Sequence, residues 1–144
     1  MGLLSALEIN ASALDAQRLR IETLSTNLAN ATTTRTPDGG PYRRKEVVFE
    51  AAQPQPSFEQ VLADAQELQL PRVQARVVED NAPPVTRYEP GHPDADAKGY
   101  VQYPNVNPIE EMVNIVESSR AFEASVAAIN AVKDMAQKSI DLGR

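Results

Sequence analysis

All but one of the chain's eleven prolines lie between Pro37 and Pro104, and the exception, Pro108, stands where a helix would begin. Proline removes a backbone donor and clashes with the preceding helical turn, so long helices can form only outside that stretch. The 144 residues therefore divide into an N-terminal helix over 1–31, a middle segment over 32–107 and a C-terminal helix over 108–144.

In the first part, Leu7, Leu14, Ile21 and Leu28 recur every seven residues, with Leu3, Leu24 and Ala31 at the intervening position. That spacing lines one side of an amphipathic helix. The assembly seam expected on it is Leu7, Leu14, Ile21, Leu24 and Leu28. Asn10 and Gln17 interrupt the seam, and polar seam residues lower stability while fixing register. Three threonines, then Pro37, Gly39 and Gly40, favour turn over helix and end it near residue 31.

The C-terminal helix is announced by Asn107 as N-cap, Pro108 at the first helical position and Glu110 in a capping-box place. Met112, Ile115, Phe122, Val126 and Ile129 follow with three-four-seven spacing and form its expected seam, continued by Ala136 to a stop at Gly143. About 35 residues make roughly 52 Å of helix, well beyond the usual length.

Between the helices, Glu46–Ala51 and Arg72–Asp80 are rich in valine and read as short strands, the second alternating through Val73, Ala75 and Val77 until Val78. Ser57 and Gln60, ahead of Val61, Leu62, Ala65 and Leu68, predict a short helix near 57–69 after a linker at 53–56. Extended chain and turns are expected from Val85 to Asn107. The fold class is mainly α, with a small Pro-rich, β-containing middle.

Aromatic residues make up only 5%, with no tryptophan, so the apolar surface suits helix seams better than a deep core. A formal charge of −6 provides no general attraction for phosphate backbones or anionic lipid, and nucleic acid is not an expected partner. There is no cysteine. No apolar run approaches the roughly 18 residues of a membrane span. Met1–Leu7 lacks a cationic flank, so no cleaved signal is expected. Ala6 occupies the place where a myristoylation pattern needs Ser or Thr, so no lipid anchor is expected either.

Little here suggests chemistry. The single histidine, His92, lies in Pro90-Gly91-His92-Pro93 near Asp94 and Asp96, and a surface turn accounts for it better than a metal or acid-base site. Glu110, Glu111 and Glu117 complement a helix start without a catalytic role. Arg43, Arg44 and Lys45 read as a solvated or subunit-contact patch. Gly39 and Gly40 lack the spaced glycines and lysine of a phosphate loop. Catalytic residues, metal and cofactor are all expected to be absent. One apolar stripe cannot order a helix this long by itself, and Leu19, Val113 and Val116 flank the seams, so neighbouring subunits are expected to cover them. A monomeric helical hairpin is the alternative.

Ser12, Ala13, Leu14, Gln17 and Arg18, followed by Asn27, Leu28, Ala29, Asn30, Ala31 and Thr32, resemble the N-terminal signature shared by flagellar axial proteins. The stretch Tyr88 to Ala95 containing Pro90, Gly91, His92 and Pro93, then Gly99, Tyr100, Val101 and Pro104, Asn105, Val106, closely resembles the FlgC-type rod family. Glu111, Met112, Val113 and Ser119, Arg120, Ala121, Phe122 resemble that family's C-terminal helix, although Phe122 stands where tyrosine is more usual. Gln53–Leu70 aligns less readily.

The resemblance implies a structural subunit of the proximal rod, with its terminal helices paired as an antiparallel coiled coil. Its implied partners are copies of itself, other proximal and distal rod proteins, the inner-membrane ring or rod adaptor, and the flagellar export apparatus. It further implies export without signal cleavage, helical polymerisation into a rod crossing the periplasm, and transmission of torque from motor to hook. A secreted helical effector or partner-binding protein of a related type III export system is the rival reading.

Overall fold

The computed structural model of the chain describes residues 3–52 and 72–142. In order they form helix α1 (Leu3–Ala29), strands β1 (Lys45–Ala52), β2 (Arg72–Glu79), β3 (Val85–Tyr88) and β4 (Tyr100–Tyr103), and helix α2 (Pro108–Leu142). The linker at 53–56 and the short helix expected near 57–69 lie outside the described residues.

α1 carries hydroxyl residues without breaking, because they bond the preceding turn: Thr23 Oγ1 donates to Leu19 O and Thr26 Oγ1 to Glu22 O, both at 2.8 Å. It stops at Ala29, where the Asn30 side-chain amide donates to Thr26 O at 2.9 Å and the last turn tightens through Ala31 N to Leu28 O at 3.3 Å. A turn from Thr36 to Gly39 follows, with Pro37 at its second position and a 3.0 Å bond from Gly39 N to Thr36 O. The chain returns when Tyr42 N donates to Thr33 O at 3.1 Å.

β1 and β2 pair antiparallel with Lys45 opposite Glu79, Phe49 opposite Ala75 and Ala52 opposite Arg72. This ladder lies lengthwise on α1. At one end Lys45 meets Asn27, further along the Arg20 guanidinium sits 5.6 Å from the Phe49 ring centre, and Val73 N then donates to Ser12 Oγ at 3.2 Å. Arg72 reaches Glu8 at 3.7 Å near the far end. Val73 and Ala75 are half-buried, whereas Val78, opposite Glu46, lies on the exposed face with Val48.

Where extended chain and turns were expected after Val85, β3 and β4 form a second antiparallel pair, Val85 opposite Tyr103 and Tyr88 opposite Tyr100. The connection closes through Glu89 N to Gly99 O at 2.9 Å and Gly99 N to Asp96 O at 2.9 Å. Gly99 has φ of 82°, and a Cβ there would stand 2.9 Å from Tyr88 Cε2, so both conformation and space require glycine. This sheet rests on the turn after α1 through a 2.8 Å bond from Thr34 Oγ1 to Asp94 Oδ2.

At the start of α2, Asn107 Oδ1 accepts from Ile109 N at 3.1 Å, the N-cap bond. Glu111, Ile115, Ser118, Phe122, Ser125, Ile129, Val132 and Ala136 form its buried to half-buried side, an unbroken four-three alternation, and α2 packs on α1. Among the described residues, Ala16, Leu24, Val101 and Pro104 are the buried apolar side chains, beside buried Thr23, Asn27, Glu111 and Ser118. The interior is thin and unusually polar.

Candidate assembly surface

The polar part of that interior converges at one end of the helix pair. Asn27, fully buried, donates from Nδ2 to Lys45 O at 2.7 Å and to Glu111 Oε2 at 3.2 Å. Its Oδ1 accepts from Lys45 N at 2.9 Å and from Tyr42 OH at 3.0 Å. Both N–H groups and both lone pairs of the amide are thus occupied. By taking the N–H and the C=O of Lys45 together, the side chain pairs with the strand's first residue as a neighbouring strand would.

Glu111 is 1% exposed, and its other oxygen accepts from Arg44 Nε at 2.7 Å, the short length of a charge-assisted bond. Arg44 also lies 4.0 Å from Asp80. One carboxylate therefore joins α1, the entry to β1 and the first turn of α2. Burial alone lowers the Arg44 pKa, but the bond and charge of Glu111, with Glu46 and Asp80, leave it raised.

Burial pushes the Tyr42 phenol up from 10.0, with the charges of Glu111 and Glu79 adding to the rise. The folded chain therefore holds this proton more tightly than the unfolded chain. Tyr42 supports stability in full below about pH 10 and loses that support as pH rises through the folded pKa. In thermal melts between neutral and strongly alkaline pH, Tyr42→Phe is expected to lose less Tm than the unsubstituted chain. An equal loss in both would show that Tyr42 does not titrate in this way.

The seam residues fall unequally. Leu24 is buried, and Leu7, Leu14, Ile21 and Leu28 are half-buried. On α2, Ile115, Phe122 and Ile129 are half-buried, but Met112 is 53% and Val126 37% exposed. Glu111, Ser118 and Ser125 occupy the inward phase instead. With Ile109, Val113 and Val116, Met112 forms an exposed apolar patch over the first turns of α2.

The signature residues have distinct places. Asn27 anchors the polar cluster, Leu28 is half-buried, Ala29 is exposed, and Asn30 closes α1 while accepting from Thr33 Oγ1 at 3.2 Å. Pro90, Gly91 and Pro93 line an exposed turn. His92 is half-buried there, its Nδ1 accepting from Asp94 N at 3.1 Å and its ring edge-on to Tyr103 at 6.2 Å. Gly99 and Pro104 are buried, Tyr100 and Asn105 exposed, Val106 half-buried. Among the described residues no group of three His, Asp or Glu side chains could hold a metal ion. Among the described residues, no helix is long and apolar enough to cross a membrane.

Sequence reasoning missed the roles of Glu111 and Arg44. One signal existed: Glu111 stands four residues before Ile115, so a charged residue occupies the phase of the buried stripe.

Comparison with known proteins agrees along the whole chain. Residues 7–35 match the family model described as flagella basal body rod protein, and 97–142 match that described as flagellar basal body rod FlgEFG protein C-terminal. The flagellar basal-body rod protein FlgC of Borreliella burgdorferi is 43% identical over 148 residues, covering 97% of each chain. Its namesake in Escherichia coli O6:H1 is 43% identical over 145 residues, covering all of both. That of Bacillus subtilis is 40% identical over 147 residues, covering 96% of this chain and 97% of its own.

Proposed function

This chain belongs to the FlgC family of flagellar basal-body rod proteins, and we propose on that premise how its geometry serves the rod. It is a structural subunit of the basal-body rod, consistent with carrying torque. The observation that carries this is a likeness to named rod proteins through the full length at 40% identity or more, rather than at one end. The same likeness favours the rod over a secreted helical effector of a related export system.

In this reading the terminal helices pair as an antiparallel coiled coil. The contact of Asn27, near the C-terminal end of α1, with Glu111, in the first turn of α2, supports opposite directions. The division at 31 and 108 separates an axial pair from a middle that faces other components. The seam residues hold the pair, and the exposed Ile109, Met112, Val113 and Val116 are left for neighbours. Those neighbours are copies of this chain, other proximal and distal rod proteins and the inner-membrane ring adaptor. The chain passes the flagellar export apparatus without signal cleavage and joins a rod that crosses the periplasm, where it acts as a mechanical part and not as an enzyme.

Deleting the gene is the test. Cells without the protein should lose swimming and external hooks, and basal bodies isolated after complementation should contain it. Normal swimming after deletion, or basal bodies free of the protein, would overturn the reading.

A further inference from the structure

The hairpin of β3 and β4 is attached to the molecule differently from the other elements. Among the described residues its strands pack on each other, and on neither helix nor the β1–β2 ladder. Its polar groups are satisfied from within. Tyr103 OH donates to Glu89 Oε2 at 2.8 Å, and Lys98 N and Tyr100 N donate to Asp96 Oδ1 at 2.8 and 2.9 Å. The Arg87 guanidinium sits 5.3 Å from the Tyr103 ring centre, and the rings of Tyr88 and Tyr100 meet edge to face at 5.3 Å.

Among the described residues, the polar ties that leave 85–103 for the rest of the fold start from one carboxylate. Asp94 Oδ2 accepts from Thr34 Oγ1 at 2.8 Å, and Oδ1 lies 3.9 Å from Arg35. The apolar anchor is Val101, 1% exposed, with Pro104 buried at the root of the hairpin. All of β3 is exposed. Beside the Asp94 tie a cleft of about 520 Å³ parts the two sides, with Gly39, Gly40 and Pro41 on the turn and Thr86, Tyr100 and Gln102 on the hairpin.

The chain enters the hairpin through Asn81–Pro84 and leaves it through Pro104–Asn107, and neither linker is part of a helix or strand. Proline fixes φ, and Asn107 is held as the N-cap of α2, so the freest dihedrals lie at Asn81 and Ala82 on one side and at Asn105 and Val106 on the other.

We propose that residues 85–103 swing as one body about these two linkers, with Asp94 as the latch, while the helix pair and the β1–β2 ladder stay folded. Undocking uncovers little beyond Val101 and breaks the ties of a single carboxylate, so it is a local opening well below global unfolding. The motion re-aims the exposed Tyr88 and Tyr100 without disturbing the cluster of Asn27 and Glu111. It goes beyond the rod reading and does not depend on it.

The chain has no cysteine, so an introduced thiol reports on one place. In the full-length chain, Val101→Cys sets the reporter beneath the hairpin and Ala16→Cys, at a site 4% exposed, sets it inside the helix pair. Relative to the same variants unfolded in urea, the thiol at 101 should react with a small thiol reagent roughly a hundredfold faster than the thiol at 16. Adding Thr34→Val removes the donor to Asp94, and loss of a bond to a charged group should speed reaction at 101 about tenfold and leave 16 unchanged. Equal rates at 101 and 16, no change at 101, or the same change at both sites would overturn the proposal. Should Val101→Cys fold poorly, nitroxide labels on Ser25→Cys/Thr86→Cys read the motion as a distance distribution that broadens with Thr34→Val, and an unchanged distribution counts against the swing. Exchange of the Glu89 and Gly99 amides, which bond within the unit, should not accelerate in Thr34→Val. Acceleration there equal to that of the thiol would show that the hairpin melts rather than swings.

Discussion

Glu111→Ala is expected to cost the folded chain about 3–5 kcal/mol, the range for breaking a buried ion pair by removing one partner. The loss has two sources. Arg44 keeps its charge in a largely enclosed place without the 2.7 Å bond that neutralises it, and an N–H of Asn27 loses its acceptor. Urea denaturation of the variant reads the cost directly. Glu111→Gln keeps the shape and should lose less. The double variant Arg44→Met/Glu111→Leu should recover much of the loss, because replacing both charges with apolar groups is often near neutral, leaving chiefly the Asn27 N–H unpaired. Strong non-additivity in that cycle is the signature of a coupled pair. A single-variant loss under about 1 kcal/mol, the scale of an exposed pair, would show that the carboxylate is solvated.

The structural weight of this cluster explains why the ends of the fold were easier to read from sequence than its joint. Helix starts and stops are local: Asn107 and Pro108 mark the first turn of α2 within three residues, and the prolines between Pro37 and Pro104 exclude long helices. The strands β1 and β2 are legible for the same reason, since valine-rich runs of eight residues carry their own preference.

By contrast, β3 and β4 have four residues each, and every residue of β3 is exposed, so no alternation marks them. Their pairing depends on Gly99 and on register across an eleven-residue connection. The Arg44–Glu111 bond spans 67 positions and the Asn27–Glu111 bond 84, distances over which no periodicity carries information. Taken locally, Glu111 resembles any acidic residue at a helix start and Arg44 any surface arginine. The phase of α2 within the single chain is hidden for a related reason. Apolar residues alone select Met112 and Val126, yet the helix turns Glu111, Ser118 and Ser125 inward because the cluster fixes its rotation at the first turn.

That rotation separates two kinds of apolar residue on α2, and a pair of substitutions should tell them apart. Phe122→Asp removes a half-buried ring from the side facing α1, where loss of a large aromatic costs about 3–5 kcal/mol, and adds a charge that burial penalises further. The purified chain should lose most of its cooperative unfolding transition. Val113→Asp places the same charge on a residue already 52% exposed, so the isolated subunit should unfold within about 0.5 kcal/mol of the unsubstituted chain. Swimming should vanish in both, while export of the chain persists, since the defect lies in assembly. If Val113→Asp swims normally, its face is not covered in the rod. If Phe122→Asp keeps full stability, that side of α2 does not hold the helix pair. Only an internal seam and a separate external patch predict loss of motility in both variants together with loss of monomer stability in one.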